Sequence, residues 1–176
     1  MKSKQKMPLK KIAYLGLLLS FAMIISYVES LIPVFPFAPG VKLGLANGFI
    51  LLILYLYGPA EAAIINLARV LLSALLFGST YSLMYSLSGA VLSFLIMWAF
   101  YKKKDSFSSV GIGMLGGFFH NMGQVAVAFF VTHLPGLLYY LPVLAAAGLF
   151  CGAVTGLLCK LLYPTLCKIV SNDKGV

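Results

Sequence analysis

The sequence predicts an all-α, polytopic integral membrane protein with six transmembrane helices. Of its 176 residues, 61% are hydrophobic and 10% are charged, and the mean hydropathy is +1.01. A composition this apolar is typical of a membrane protein rather than of a soluble core, and the length fits one domain. The predicted spans are Ile12–Leu31, Leu43–Tyr57, Glu61–Phe77, Leu83–Tyr101, Val110–Thr132 and Leu137–Tyr163.

The predicted spans differ in length. A membrane-crossing helix needs roughly 20 apolar residues, so the second and third are short, whereas the sixth is long enough to tilt. The first could be a signal peptide, but its apolar stretch is long and Glu29 stands where a small-residue cleavage site belongs. We therefore predict an uncleaved first span, with tails at 1–11 and 164–176 around a membrane domain at 12–163.

Lysines cluster at three places, and six spans bring all three to one side of the membrane. If the N-terminus is cytoplasmic, the opposite connections carry only Lys42 as a cation, in agreement with the positive-inside rule. The net charge of +9 therefore indicates orientation in a lipid bilayer and not nucleic-acid binding. We predict a multi-pass cell-membrane protein with both termini in the cytoplasm. The clusters are Lys2, Lys4, Lys6, Lys10 and Lys11, then Lys102, Lys103 and Lys104, then Lys168 and Lys174.

Arg69 lies midway along an apolar span, where a charge is costly and usually faces a protein interior or a wet cavity. Asn66 lies three residues earlier, so both side chains project from one helix face. A guanidinium stays charged, and it needs a carboxylate, carbonyl oxygens or an anionic ligand. Two interpretations stay open. In the structural one, Arg69 pairs with Glu29 or caps carbonyl oxygens and so locks the bundle. In the functional one, Arg69 binds an anion in a central cavity.

A second polar group lies midway along the fifth span. The spacing of His120, Asn121 and Gln124 lets all three line one helical strip, which could hold a ligand head group or bridge helices. His120 could instead relay protons or ligate haem. The second span has a similar glycine-interrupted segment, which carries Asn47. Matched interrupted segments in two halves of a chain point to the binding site of a transporter.

The connection Ile32–Val41 contains three prolines in an apolar stretch. Proline resists regular helix, and irregular backbone at membrane depth must be covered by protein or line a cavity. We therefore expect a loop folded over an outer mouth, where Lys42 either snorkels to the interface or gates entry together with Glu29. The predicted substrate-binding residues are Arg69, His120, Asn121, Gln124, Asn47, Asn66, Lys42 and Glu29.

Glycines at intervals of four mark close helix contacts. Gly148, Gly152 and Gly156 form one ladder, and Gly113 with Gly117 repeats the spacing. Such faces let helix backbones approach each other. The ladder either packs inside the bundle or docks a partner.

The motifs that catalysis would require are missing from the sequence. It has no Gly-x-x-x-x-Gly-Lys-Ser/Thr phosphate loop, no aspartate cluster to hold magnesium and a diphosphate, and no evident catalytic triad. We therefore expect a chain that is not an enzyme and needs no cofactor or metal.

Five ordered motifs resemble the Gx transporter family, which is also named heptaprenyl diphosphate synthase component I. They are E-S-L-I-P at Glu29–Pro33, P-G-V-K-L-G-L-A-N at Pro39–Asn47, R-V-L-L-S-A-L-L-F-G at Arg69–Gly78, Y-S-L-S-G at Tyr85–Gly89 and H-N-M-G-Q at His120–Gln124. The resemblance runs from the first span to the sixth. The family is similar in turn to the substrate-binding S components of energy-coupling-factor transporters, which are six-helix proteins.

The resemblance implies a transport subunit that binds a small organic molecule, anionic or isoprenoid- or quinone-related, and depends on a membrane coupling subunit and ATPases. Some members resemble the membrane component encoded with flavin-based extracellular electron transfer systems and demethylmenaquinone synthesis. This resemblance implies, as an alternative, a non-transporting membrane component of flavin- or quinone-linked extracellular electron transfer. The other family name implies an accessory role in heptaprenyl diphosphate synthesis. The Ala-x-x-x-Ala pattern often associated with S-component docking is not clear in the first span, where Gly16 and Ser20, or Ala22 and Ser26, would replace it sterically.

Overall fold

The computed structural model describes residues 9–32, 42–133 and 135–172, with side chains up to residue 170. These residues form helices and no β-strand, which confirms the all-α prediction. Five helical stretches are long and apolar enough to cross a membrane, and one shorter helix lies among them. The elements are α1 (Leu9–Leu31), α2 (Asn47–Leu56), α3 (Pro59–Phe77), α4 (Thr80–Tyr101), α5 (Ser109–Thr132), the 3-10 helix η1 (Pro135–Tyr140) and α6 (Leu141–Asn172).

The second helix is shorter than the predicted span Leu43–Tyr57. It has ten residues and is therefore about 15 Å long, half of the roughly 30 Å hydrocarbon core. Residues 42–46 precede it as non-helical backbone, in which Gly44 has a φ of +86°. Such a φ disfavours any residue with a Cβ, so glycine ends the extended segment and α2 begins deep inside the bundle.

The other helices surround α2. The sequence of contacts α1–α3–α4–α5–α6 forms an arc, and α2 contacts all five of its members. Residues 50–54 of α2 are buried on every side, as expected for a helix that is apolar all round. The start of α2 is therefore enclosed by protein.

The glycine ladder packs α5 against α6. A Cβ at Gly117 would collide with the carbonyl oxygen of Gly148, and one at Gly152 would collide with that of Gly113. The two backbones therefore touch along the ladder, as small residues permit. Packing inside the bundle is thus the correct interpretation of this face.

Basic and aromatic residues mark one end of the bundle. Lys11 at the start of α1 pairs with Glu61 at the start of α3 at 2.5 Å. The rings of Tyr55 and Tyr101 lie 5.0 Å apart, and Lys102 lies over the ring of Trp98. Two of the predicted lysine clusters therefore flank the same end, and the side of the membrane that this end faces stays a prediction.

The last helix departs from the predicted boundary at Tyr163. It contains Pro164 and continues to Asn172, so the backbone from 164 to 172 is helical where the sequence predicted a tail. Proline disfavours a helix interior, but α6 continues through Pro164, and the residue at which this helix leaves the membrane stays a prediction. The predicted proline-rich loop lies outside the described residues from residue 33 to residue 41, as do residues 1–8 of the basic tail.

Candidate functional site

Arg69 lies at the centre of a buried polar cluster. The side chain is 4% exposed and reaches three neutral oxygens on three helices. Nη1 donates to Ser26 Oγ at 3.3 Å, and Nη2 donates to Asn66 Oδ1 at 2.9 Å and to Asn47 Oδ1 at 3.4 Å. Arg69 Nε has no hydrogen-bond partner among the residues that the structure describes.

Asn66 connects Arg69 to the neighbouring helix. Its Oδ1 accepts from Arg69, while its Nδ2 donates to the carbonyl oxygen of Ala90 in α4 at 3.1 Å. The spacing of three residues on α3 explains the first contact. Asn66 therefore orients the guanidinium toward the bundle interior.

Glu29 lies near the C-terminal end of α1 and is 1% exposed. Its Oε1 accepts the backbone N–H of Leu45 at 2.7 Å, and its Oε2 is unpartnered within the described part of the chain. Arg69 and Lys42 act on this carboxylate electrostatically, but among described residues no ion pair within 4.0 Å joins it to either. The predicted Arg69–Glu29 pair is therefore not formed, and neutral oxygens surround the guanidinium instead.

Gln124 holds the segment that leads into α2. Its Oε1 accepts the backbone N–H of Lys42 at 2.7 Å, and its Nε2 donates to the backbone carbonyl of Lys42 at 3.0 Å. Both polar groups of the amide are therefore occupied by main chain. In this conformation Gln124 therefore positions the segment 42–46, and other residues would contact a ligand.

Replacing Gln124 with leucine should loosen this segment. Two buried backbone groups would lose their partners, each at a cost of about 1–3 kcal/mol. Hydrogen–deuterium exchange should then show faster exchange of the amides at 42–46, with a lower unfolding temperature. Thr132→Val is the matched control on α5, since the Thr132 hydroxyl donates to the carbonyl oxygen of Ala128 in its own helix. Unchanged exchange at 42–46 in Gln124→Leu would contradict this role.

His120 and Asn121 complete the buried wall on α5. Both are at most 2% exposed. The His120 ring lies beside Gly89 of α4 and within electrostatic reach of Arg69 and Lys42. Asn121 Nδ2 donates to the carbonyl oxygen of Leu144 at 2.7 Å. His120 Nδ1 and Asn121 Oδ1 have no partner among the described residues.

Close backbone approach shapes the wall around His120. A Cβ on Gly44 would lie 2.8 Å from His120 Cδ2, and one on Gly89 would lie 2.9 Å from His120 Cε1. The ring is therefore held between α4 and the segment before α2. The roles of His120 in proton relay or haem ligation stay predictions.

Lys42 is also buried, at 6% exposed. Its ammonium group lies 5.5 Å from the ring centroid of Phe77, a cation–π distance. It therefore does not snorkel to the surface in this conformation. The structure thus buries all eight predicted site residues. Seven of them lie around Arg69 and the segment before α2, whereas the side chain of Asn121 contacts α6.

Sequence reasoning missed Ser26, Gly44 and Gly89. Ser26 lies three residues before Glu29 on α1, so helical spacing alone places them on one face. The two glycines carry no chemistry, and only the packing of His120 between them reveals their part in the site.

The donor set suits an anionic or polar organic group rather than a metal ion. The cluster contains the cations Arg69 and Lys42 and one carboxylate, Glu29. A metal cation would be repelled by the surplus of positive charge. An anion at the start of α2 would be attracted by the two cations and by the positive end of the helix dipole.

The fold and the buried site define a polytopic α-helical membrane protein with a short second helix that begins inside the bundle. The family model of heptaprenyl diphosphate synthase component I matches residues 18–162, which is most of the chain. The chain therefore belongs to this family. No curated protein sequence matches it significantly.

Proposed function

We propose that the chain is the membrane-embedded substrate-binding subunit of a transporter for a small organic molecule with an anionic group. The observation that carries this proposal is the environment of Arg69, a buried guanidinium whose described partners are all neutral. A buried charge without a close counter-ion is costly. An anionic ligand would supply the missing charge.

The short second helix, which begins inside the bundle, supports the same conclusion. In transporters, half-helices begin near the membrane midplane and direct their positive ends at anionic substrate groups. Here α2 begins at Asn47, which accepts a hydrogen bond from Arg69. Glu29 already bonds to the N–H of Leu45 in the turn before α2, so this region accommodates a carboxylate.

The unoccupied polar atoms suggest the chemistry of the ligand. Arg69 Nε and Asn47 Nδ2 are donors without a described partner, and Glu29 Oε2 is an acceptor without one. Buried polar groups are normally hydrogen-bonded. A ligand with an anionic group and a hydroxyl or amine would accept hydrogen bonds from the donors and donate one to the acceptor.

Energy for transport would come from other subunits. The sequence has no phosphate loop, so ATP hydrolysis would belong to partner ATPases that act through a membrane coupling subunit. In this proposal the chain binds and releases substrate and catalyses no reaction.

A second candidate is an accessory membrane subunit of heptaprenyl diphosphate synthesis, the source of menaquinone side chains. The family description favours it, and a diphosphate is an anionic group that Arg69 and Lys42 could bind. Such a subunit should bind the soluble synthase subunit and change its product length, whereas a transport subunit should co-purify with ATPases.

Mass spectrometry of small molecules that co-purify with the chain from its native membrane tests the proposal. We expect an anionic organic compound that is enriched in the wild type and depleted in Arg69→Gln. Equal amounts of every compound in both preparations would overturn the proposal. A bound flavin or quinone with visible absorbance would instead favour the role in extracellular electron transfer.

A further inference from the structure

The buried polar cluster holds one more positive charge than negative. Arg69, Lys42 and Glu29 are all buried, and Glu29 lies within electrostatic reach of both cations. His120 lies within reach of the same cations, and a third positive charge there would be repelled, so we count it as neutral. Residues 33–41, which precede Lys42, contain no charged side chain. The cluster therefore carries one net positive charge.

Glu29 is the one carboxylate of this cluster among the residues that the structure describes. The chain has four acidic residues, and two of the others lie at the opposite end of the bundle. Glu61 pairs there with Lys11, and Asp105 lies in the turn after α4. Asp173 follows the end of α6 and lies outside the described residues. No described acid besides Glu29 therefore offsets the two buried cations.

The Glu29 carboxylate lies close to the donors that an anionic ligand would meet. Its Oε1 accepts the N–H of Leu45, two residues before α2 begins at Asn47. Arg69 Nε and Asn47 Nδ2, the donors without a described partner, belong to side chains that bond to each other. Ser26, one turn before Glu29 on α1, bonds to the same guanidinium. An anion at these donors would therefore interact electrostatically with Glu29.

We propose that the site takes an organic ligand with one net negative charge, and that Glu29 determines this specificity. The inference rests on the proposed function, since it places the anionic group of the ligand at Arg69. One negative charge balances the surplus of the cluster, whereas a second would be repelled by Glu29. The favoured ligands are carboxylic acids, sulfate esters and phosphodiesters. A phosphate monoester should bind more weakly, and a diphosphate more weakly still.

Two probes with the same alkyl chain and a tetrahedral head group test the charge limit. Hexyl sulfate carries one negative charge. Hexyl phosphate carries close to two at about pH 8, because the second pKa of a phosphate monoester is about 6. Isothermal titration of the full chain in a nonionic detergent gives both affinities. The quantity compared between variants is the affinity for hexyl phosphate divided by that for hexyl sulfate, since partition of the probes into detergent is the same for every variant.

Glu29→Gln removes the charge and keeps an oxygen that can accept the N–H of Leu45. Glu61→Gln is the matched control, because it makes the same change at the other end of the bundle. A unit charge within roughly 10 Å changes affinity at least about tenfold at an effective dielectric constant of about 20. We therefore expect the affinity ratio to rise at least about tenfold in Glu29→Gln and to match the wild type in Glu61→Gln. The wild-type ratio in Glu29→Gln would overturn the inference.

Lys42→Gln is a second variant, which tests the charge count even if Glu29→Gln does not fold. It removes one positive charge, while Gln124 still bonds to the main chain at position 42. The affinity ratio should fall at least about tenfold, because Glu29 then faces one cation fewer. An unchanged ratio in Lys42→Gln would contradict the inference.

The same titrations separate failure of this inference from failure of the proposed function. If both probes bind the wild type, Arg69→Gln abolishes their binding and Glu29→Gln leaves the ratio unchanged, the anion site stands and the charge limit is wrong. If neither probe binds saturably, or if Arg69→Gln binds both like the wild type, the proposed function is wrong and this inference falls with it.

Discussion

Replacing Arg69 with glutamine should nearly abolish binding of an anionic ligand while the protein stays folded. We take hexyl phosphate as the probe because its head group is anionic and its short chain keeps it soluble. Removing one partner of a buried, hydrogen-bonded charge pair costs about 2–5 kcal/mol. This range corresponds to a loss of affinity of at least about 30-fold. Isothermal titration of the detergent-solubilised protein measures it directly.

Stability separates binding by Arg69 from a purely structural role. No described carboxylate lies within 4.0 Å of the guanidinium, so glutamine removes a costly buried charge and keeps an amide donor for Asn66. Ser26 and Asn47 lose their bonds to the guanidinium, each at a cost of about 1–3 kcal/mol, so we expect Arg69→Gln to stay folded with a moderately lower unfolding temperature. Ser73→Ala, one turn further along α3, is the control because Ser73 is buried but bonds to Met23 outside the cluster. A large drop in unfolding temperature with unchanged affinity would show that Arg69 only holds the bundle together.

Replacing Gly117 with valine should cause the largest loss of stability. The new Cβ would overlap the carbonyl oxygen of Gly148 and lie 3.0 Å from Gly152 Cα. Both atoms belong to the backbone of α6, so the clash is relieved only if the helices separate. Overpacking usually costs about 1–3 kcal/mol and occasionally more. Because the obstacle is backbone, we expect the upper end of that range or failure to fold, measured as the yield of monodisperse protein and its unfolding temperature.

Gly16 offers a matched control for that prediction. A Cβ at Gly16 would have no heavy atom within 4 Å apart from its local neighbours. Alanine is also preferred to glycine in a helix by roughly 0.5–1 kcal/mol. Gly16→Ala should therefore leave stability unchanged or raise it slightly. If Gly117→Val were as stable as Gly16→Ala, the close packing of α5 on α6 would be wrong.

The fold was largely predictable because a lipid bilayer constrains the length and the composition of the helices that cross it. Runs of apolar residues located the six helices, and glycine spacing indicated close packing. The length of α2 was harder to predict, because Leu43 and Leu45 continue the apolar run while Gly44 adopts a positive φ. At the other end of the chain, α6 extends past the predicted span, through Pro164 to Asn172.

The polar residues of the site were predictable individually, but their connections were not. Costly groups such as Arg69 stand out in an apolar sequence, and helical spacing joins it to Asn66. Contacts between distant segments leave no such signal. The bonds of Gln124 to the main chain of Lys42, and of Glu29 to the N–H of Leu45, depend on how α1, α2 and α5 pack. The sequence therefore identified the buried polar residues. It did not show which of them position the site and which have polar atoms without a partner.

The central claim is that the buried cluster around Arg69 selects a ligand by its negative charge. The most direct measurement compares the affinities of the wild-type chain for hexyl phosphate, hexanol and hexylamine in one titration series. The account predicts saturable binding of hexyl phosphate, with affinity at least about tenfold above that for hexanol and no saturable binding of hexylamine. Equal affinities for all three compounds, or preference for hexylamine, would contradict it.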